Sequence, residues 1–273
     1  MGKNIFIGCS GWSYEKDWVG TFYKSKRSML SQYQEIFDIT EINSTFYKYP
    51  DENLIGYLAK KTKPGFMMTA KFPRIITHDK RLGKVARIDE DVSYFLKIMR
   101  PLNDVRKLKA LLIQLPPYDV NSLGNLESFL ASLSDEFRYA IEFRHKSWFT
   151  KQNFDLLEKY NVAFTVTDSP LLNQPVIWIT TDFSYVRWHG HGKDIWYDYL
   201  YKYRELIDWA PIINKIAKET NAVYAFFNNH FRGNAPLNAL EMLEILGIIN
   251  PIQKKKLIEM KSSVNLSLTE FIE

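Results

Sequence analysis

Cysteine is all but missing from this chain: Cys9 stands alone among 273 residues. One thiol cannot close an internal disulfide, so the fold must rest on its core, as in a reducing compartment. Long apolar runs are missing too. None approaches the roughly 20 residues that a helix needs to span a bilayer, which argues against a membrane partner. The opening MGKNIFIGCSGW has no charged region, apolar stretch and cleavage site of the signal-peptide kind, so the expectation is a cytoplasmic protein. Compact metal-ligand spacings such as HExxH do not occur. No sign of charge dominates either: a formal net charge of +5 is a mild excess that favours anionic ligands only weakly.

Apolar and aromatic residues are plentiful. An apolar fraction of 46% provides a sizeable core, and 7 Trp, 16 Tyr and 18 Phe suit a site with flat, amphipathic walls. The length fits either two small domains or one α/β barrel of about 250 residues.

Eight short apolar, β-rich runs read as strands: 4–9 (NIFIGC), 39–46 (ITEINSTF), 66–72 (FMMTAKF), 110–115 (ALLIQL), 139–143 (YAIEF), 162–168 (VAFTVTD), 185–190 (YVRWHG) and 222–229 (AVYAFFNN). Helical spacing or helix-start signals follow most of them, over 25–37, 51–63, 89–99, 121–133, 150–160, 196–218 in two parts around Pro211, and 234–246. Near-continuous apolarity marks strands covered on both faces, as in a parallel sheet wrapped by helices. Eight such units in this length predict a (β/α)8 TIM barrel of class α/β over 1–249, with a doubly wound sheet as the alternative. Residues 250–273 read as a basic helical extension packed on the barrel.

Polar residues gather at one end of this frame. All five histidines, His78, His145, His189, His191 and His230, fall at or just beyond strand C-termini. Glu41, Lys71, Gln114, Glu142 and Arg187 interrupt otherwise apolar strands, where a polar group needs a partner. In barrels of this class that end carries the active site. Glu142 and Arg144, two residues apart on one strand, are expected to share a face.

The motifs resemble those of the YecE-like family, domain of unknown function 72. GCSGWSY at 8–14, WVGTFY at 18–23, EINSTFY at 41–47, Lys71, Thr77-His78, QLP at 114–116, EFRH at 142–145 with Trp148, RWHG at 187–190 and FNN at 227–229 carry the match in order. It spans residue 5 to about 246 and implies a TIM barrel, but it supplies no reaction. A kinship with endonuclease IV-like and xylose isomerase-like barrels is analogy of fold.

Chemistry is therefore read from residue types. Glu142 is the candidate general acid/base, with Lys71 to hold an anion or polarise a carbonyl and His189 as a proton shuttle. Arg144 and Arg187 suit forked capture of a carboxylate or phosphate. Asn43, Tyr47, His78, Gln114, Trp148, Asp168, Asn228 and Asn229 complete the expected substrate-binding set. No cofactor is expected. A divalent metal held by Glu41, Glu142, Asp168, His189 and His230 is the competing reading, against which Lys71, Arg144 and Arg187 would set like charge. Cys9 reads as a buried apolar thiol.

Two functional classes follow. One is an enzyme acting on a small anionic (phosphorylated or carboxylated) or sugar-like substrate. The other is a nucleic-acid binding or processing protein, with Lys80, Arg81, Lys84, Arg232 and the basic C-terminal helix on the backbone and Trp12, Trp18 or Trp148 stacking bases. A non-catalytic partner-binding barrel is the third reading, and oligomeric state is left open.

Overall fold

Runs of valine, isoleucine, alanine and aromatics become strands here because both of their faces are covered, which is what a closed parallel barrel provides. The computed structural model describes residues 4–172 and 174–269; residues 1–3 of the expected barrel region and 270–273 of the expected extension lie outside them. Among the described residues, eight strands follow one another around a closed barrel in chain order. They are β1 (Ile5–Ser10), β2 (Ile39–Ile42), β3 (Met67–Lys71), β4 (Leu108–Gln114), β5 (Tyr139–Glu142), β6 (Val162–Asp168), β7 (Phe183–Trp188) and β8 (Ala222–Phe227). The helices are α1 (Glu15–Trp18), α2 (Met29–Ile36), α3 (Ser44–Tyr47), α4 (Glu52–Lys61), α5 (Asp89–Asp104), α6 (Leu126–Ala131), α7 (Lys151–Lys159), α8 (Tyr203–Glu219), α9 (Asn234–Ile245) and α10 (Pro251–Thr269). This is the α/β TIM-barrel class that the strand pattern predicts. Among the described residues no helix is long and apolar enough to cross a membrane.

Contacts divide the chain into two units. One comprises the described residues within Met1–Thr40, Asp168–Leu172 and Val186–Glu273, the other those within Glu41–Thr167 and Asn173–Tyr185. In the first, β1 pairs with β8 in parallel register from Ile5↔Val223 to Cys9↔Phe227. Backbone bonds from His189 to Asp168 (2.9 Å) and from Asn228 to Trp188 (2.8 Å) carry the ladder across the ends of β6, β7 and β8. Gly8 is required where it stands, since a Cβ there would lie 2.2 Å from the carbonyl oxygen of Ile39. Helix α9 packs on β1, β8 and α8, and α10 lies on α9 and α2, tied by Gln253 Nε2 donating to the Ile36 carbonyl at 2.9 Å.

In the second unit, β3 pairs with β4, β4 with β5 and β5 with β6, all parallel. The register sets Gln114 beside Glu142. Phe72 meets Phe95, Phe129 and Tyr139 in one aromatic cluster, and Phe143 stacks on Trp148. Asp51, Asn125 and Thr150 cap α4, α6 and α7 with side-chain oxygens, each satisfying an orphan helix N–H.

Several boundaries differ from the sequence reading. Strand β2 stops at Ile42, and the remainder of the expected strand 39–46 coils into α3, with the Thr45 hydroxyl within bonding distance of the carbonyls of Ile42 (2.9 Å) and Lys71 (2.7 Å). A local side-chain bond of this type diverts a β-prone segment. Strand β5 ends at Glu142, so Arg144 lies beyond it and reaches back from coil. The expected helix 121–133 contracts to α6 behind a short 3₁₀ turn at Val120–Ser122. The stretch 196–202, read as helix, is coil, whereas α8 runs unbroken through Pro211.

Candidate functional site

Strand carboxyl ends in the Glu41–Thr167 unit carry a connected set of polar side chains. Glu41, the third residue of β2, is fully buried. It accepts a 2.6 Å bond from the Tyr185 hydroxyl, which lies 2.7 Å from Thr69 Oγ1. A phenol has one proton, so Thr69 donates to Tyr185 and Tyr185 to Glu41. Lys71 closes β3; its Nζ donates to Gln114 Oε1 at 2.9 Å and stands 4.2 Å over the ring of Phe46. Neutral oxygen and aromatic face both stabilise a cation that is largely withdrawn from water.

Glu142, at the end of β5, is 1% exposed and accepts from Arg144 Nε at 2.6 Å, with Arg144 13% exposed. His78 sits on a π-helical turn, Ile75–Asp79, with Nδ1 2.8 Å from Thr77 Oγ1 and its ring edge-on to Phe46 at 5.0 Å. Burial, together with the positive charges of Lys71, Arg144 and Arg74, brings the His78 pKa down to about 4. The Asp79 carboxylate, paired with Arg74 at 3.1 Å, acts the other way, and the imidazole is neutral at pH 7.

Four further sequence-predicted residues belong to this unit. Gln114 is engaged by Lys71 as described. Asn43 follows β2 directly and heads α3. Tyr47 is 74% exposed. Trp148 is wholly buried, its indole N–H donating to the Tyr118 carbonyl at 2.9 Å, so it offers no open face to a ligand.

The other unit assembles the remaining predicted residues. Arg187 is fully buried on β7, with a terminal guanidinium nitrogen 3.5 Å from Ser10 Oγ. Asn228 Nδ2 lies 3.0 Å from His189 Nδ1; because an amide nitrogen only donates, the neutral ring carries its proton on Nε2. Asn229 Nδ2 binds the Tyr199 carbonyl and Asn238 Oδ1 at 2.8 and 2.9 Å, while its own Oδ1 is buried and has no hydrogen-bond partner among the described residues. Asp168 bonds His191 Nε2 at 2.9 Å, and its charge adds to burial in pushing the Tyr201 phenol up.

The coil that follows β7 is fixed by these groups. Gly190 N–H donates to Tyr201 Oη at 2.8 Å, and Tyr201 exchanges two bonds with the Asn238 side chain. Gly190 has φ +90, and a Cβ there would fall 2.4 Å from the Trp196 carbonyl oxygen, so only glycine suits it.

Sequence reasoning passed over Tyr185 and Thr69, which hold Glu41, and Tyr14, which stacks on His230 at 4.5 Å. It also offered Trp18 as a base-stacking platform, but Trp18 is wholly buried and donates its N–H to the His230 carbonyl at 2.8 Å. Among the described residues no group of three or more His, Cys, Asp or Glu side chains is placed to hold a metal ion. Cys9 is buried and its thiol pushed far up by burial, so it supplies no thiolate at neutral pH.

Comparison with known proteins agrees with the motifs. The chain is 26% identical over 270 residues to UPF0759 protein YunF of Bacillus subtilis (strain 168), covering 89% of this chain and 95% of that protein. It is 33% identical over 148 residues to UPF0759 protein YecE of Escherichia coli (strain K12), a match of 54% of this chain and 51% of that protein. A solved DUF72 family protein from Thermotoga maritima superposes with TM-score 0.78 at 30% identity, over 89% of this chain and 99% of the other. A second, from Enterococcus faecalis, gives TM-score 0.78 at 24% identity over 90% and 98%. The family model described as Protein of unknown function DUF72 matches residues 6–260, and the chain belongs to that family.

Proposed function

We propose that this protein is an enzyme acting on a small anionic substrate, phosphorylated or carboxylated, at the strand ends that carry Lys71, Gln114 and Glu142. The observation that carries the reading is geometric: Lys71 Nζ, at the end of β3, donates to the neutral Oε1 of Gln114 at 2.9 Å and stands 4.2 Å over the ring of Phe46, which meets the half-buried His78 ring edge-on at 5.0 Å. Burial first, and then the charges of Lys71, Arg144 and Arg74 against that of Asp79, bring the His78 pKa down to about 4, and an anionic group beside Lys71 would offset those positive charges. Lys71 is positioned by Gln114 and Phe46 as a point charge, and Arg144 presents a guanidinium suited to forked oxygens. Glu142, adjoining Gln114 in the sheet, is the carboxylate assigned to proton transfer.

Inorganic phosphate tests this directly. Phosphate should raise the melting temperature by mass action, more than chloride at matched ionic strength, and should raise the pKa of His78 in a proton NMR titration. Lys71→Gln should abolish both responses. A melting temperature indifferent to phosphate, with His78 unmoved, refutes the reading.

A further inference from the structure

The coil between β7 and α8 carries an aromatic residue that none of the readings above employs. Fourteen ordered residues without regular structure are unusual between barrel elements, and such loops commonly serve binding. Here the coil is secured at Gly190, Tyr199 and Tyr201 by the bonds described above, and Arg232 pairs with Asp198. Tyr197 lies between those anchors and is half-buried. Its ring centroid is 6.2 Å from that of His189 and 5.8 Å from that of His230. Among the described residues its hydroxyl has no hydrogen-bond partner.

His230 is held by two stacked rings and one hydrogen bond. Its ring stacks on Tyr14 at 4.5 Å and on Phe231 at 4.7 Å. Its Nδ1 lies 3.1 Å from the Asn228 carbonyl, which can only accept, so Nδ1 carries the proton and Nε2 the lone pair. Burial lowers its pKa, with the Asn228 carbonyl and the Asp17 carboxylate acting the other way, and the ring stays uncharged at neutral pH. Asp17 is itself engaged by the Arg232 amide at 3.0 Å. The ring is half-buried, and Nε2 has no partner among the described residues.

The geometry points to a second recognition element, in which His230 Nε2 accepts from one hydroxyl of a polyhydroxylated, sugar-type ligand and Tyr197 Oη donates to a neighbouring oxygen. One neutral acceptor and one neutral donor on adjacent aromatic rings match the paired hydroxyls and apolar C–H faces of such a molecule. The inference goes beyond the anion reading and stands on different residues.

Diethyl pyrocarbonate, which acylates an unprotonated imidazole nitrogen, provides the test, with peptide mapping to read His230 alone. His230 should react readily at neutral pH. A panel of D-ribose, D-xylose, D-glucose and D-fructose should include a sugar that protects it, while inorganic phosphate should not. In Tyr197→Phe, which keeps the ring and loses only an unbonded hydroxyl, the protecting sugar should bind about tenfold more weakly, the equivalent of about 1.4 kcal/mol. An unreactive His230 overturns the exposed lone pair, and a reactive one that no sugar protects overturns the ligand class. Protection unaltered in Tyr197→Phe overturns the pairing of the two atoms. Sugar protection without any phosphate-induced stabilisation would sustain this inference and sink only the anion reading.

Discussion

Replacing Glu142 by glutamine separates a catalytic carboxylate from a structural one without knowledge of the substrate. The substitution is isosteric and leaves an oxygen that can still accept from Arg144 Nε, now 2.6 Å away, so what is removed is the charge. Two unit charges about 4 Å apart attract by about 4 kcal/mol at the effective dielectric of about 20 that suits protein sites. Against this stands the cost of withdrawing each ion from water, several kcal/mol apiece in real proteins. Glu142 is 1% exposed and bears that cost fully, whereas Arg144, at 13%, retains contact with solvent and can be rehydrated. Removing the buried member therefore relieves its desolvation while the guanidinium keeps water and a neutral acceptor. The two sides nearly cancel, and Glu142→Gln should change stability by no more than about 1 kcal/mol in urea unfolding, with an unchanged m-value. If the carboxylate serves only as half of a structural pair, the loss should be that of a broken buried pair, about 3–5 kcal/mol. A loss of that size refutes the assignment of Glu142 to proton transfer.

Lys71→Met should raise the His78 pKa from about 4 toward its ordinary 6.5, followed by NMR, because one of the charges that disfavour the imidazolium is removed. Since the folded-state pKa of His78 is depressed, the unfolded chain binds the extra proton first. The stability that His78 contributes should thus be intact above about pH 6.5 and be lost as pH falls through that value to about 4, and Lys71→Met should shrink that loss. Tyr185→Phe removes a donor to fully buried Glu41 and should cost about 1–3 kcal/mol in chemical unfolding, the penalty of taking one bond from a buried polar group; an unchanged midpoint would show that Glu41 does not depend on it.

The strands were legible because burial on both faces leaves an apolar run with little else to be. Their polar interruptions, Glu41, Lys71, Gln114, Glu142 and Arg187, were legible for the complementary reason that each violates that pattern. Partners were not. Tyr185 meets Glu41 from 144 positions away, and its place two residues before Arg187 was the one available hint. The end of β2 was misjudged because Ser44, Thr45, Phe46 and Tyr47 suit a strand by propensity, while the Thr45 hydroxyl bonds made them a helical turn. The coil 196–202 read as helix because its tyrosines and leucine fall at plausible spacing; the glycine and asparagine bonds that hold it as coil connect residues distant in the chain. The proton positions on His189 and His230 follow from Asn228 alone, through its side chain for one ring and its carbonyl for the other. No periodicity could have revealed that.

The sealed thiol of Cys9 has a practical consequence. A cysteine that is fully buried, with its ionisation suppressed by burial, is silent to maleimides and to mild oxidants under native conditions. The native chain is thus an unlabelled background into which a single reporter can be placed without first deleting a residue from the core. Tyr47, at 74% exposure near the carboxyl end of β2, is a natural position: a spin label or fluorophore on Tyr47→Cys would be the sole modified site, next in sequence to Phe46, whose ring meets Lys71 and His78.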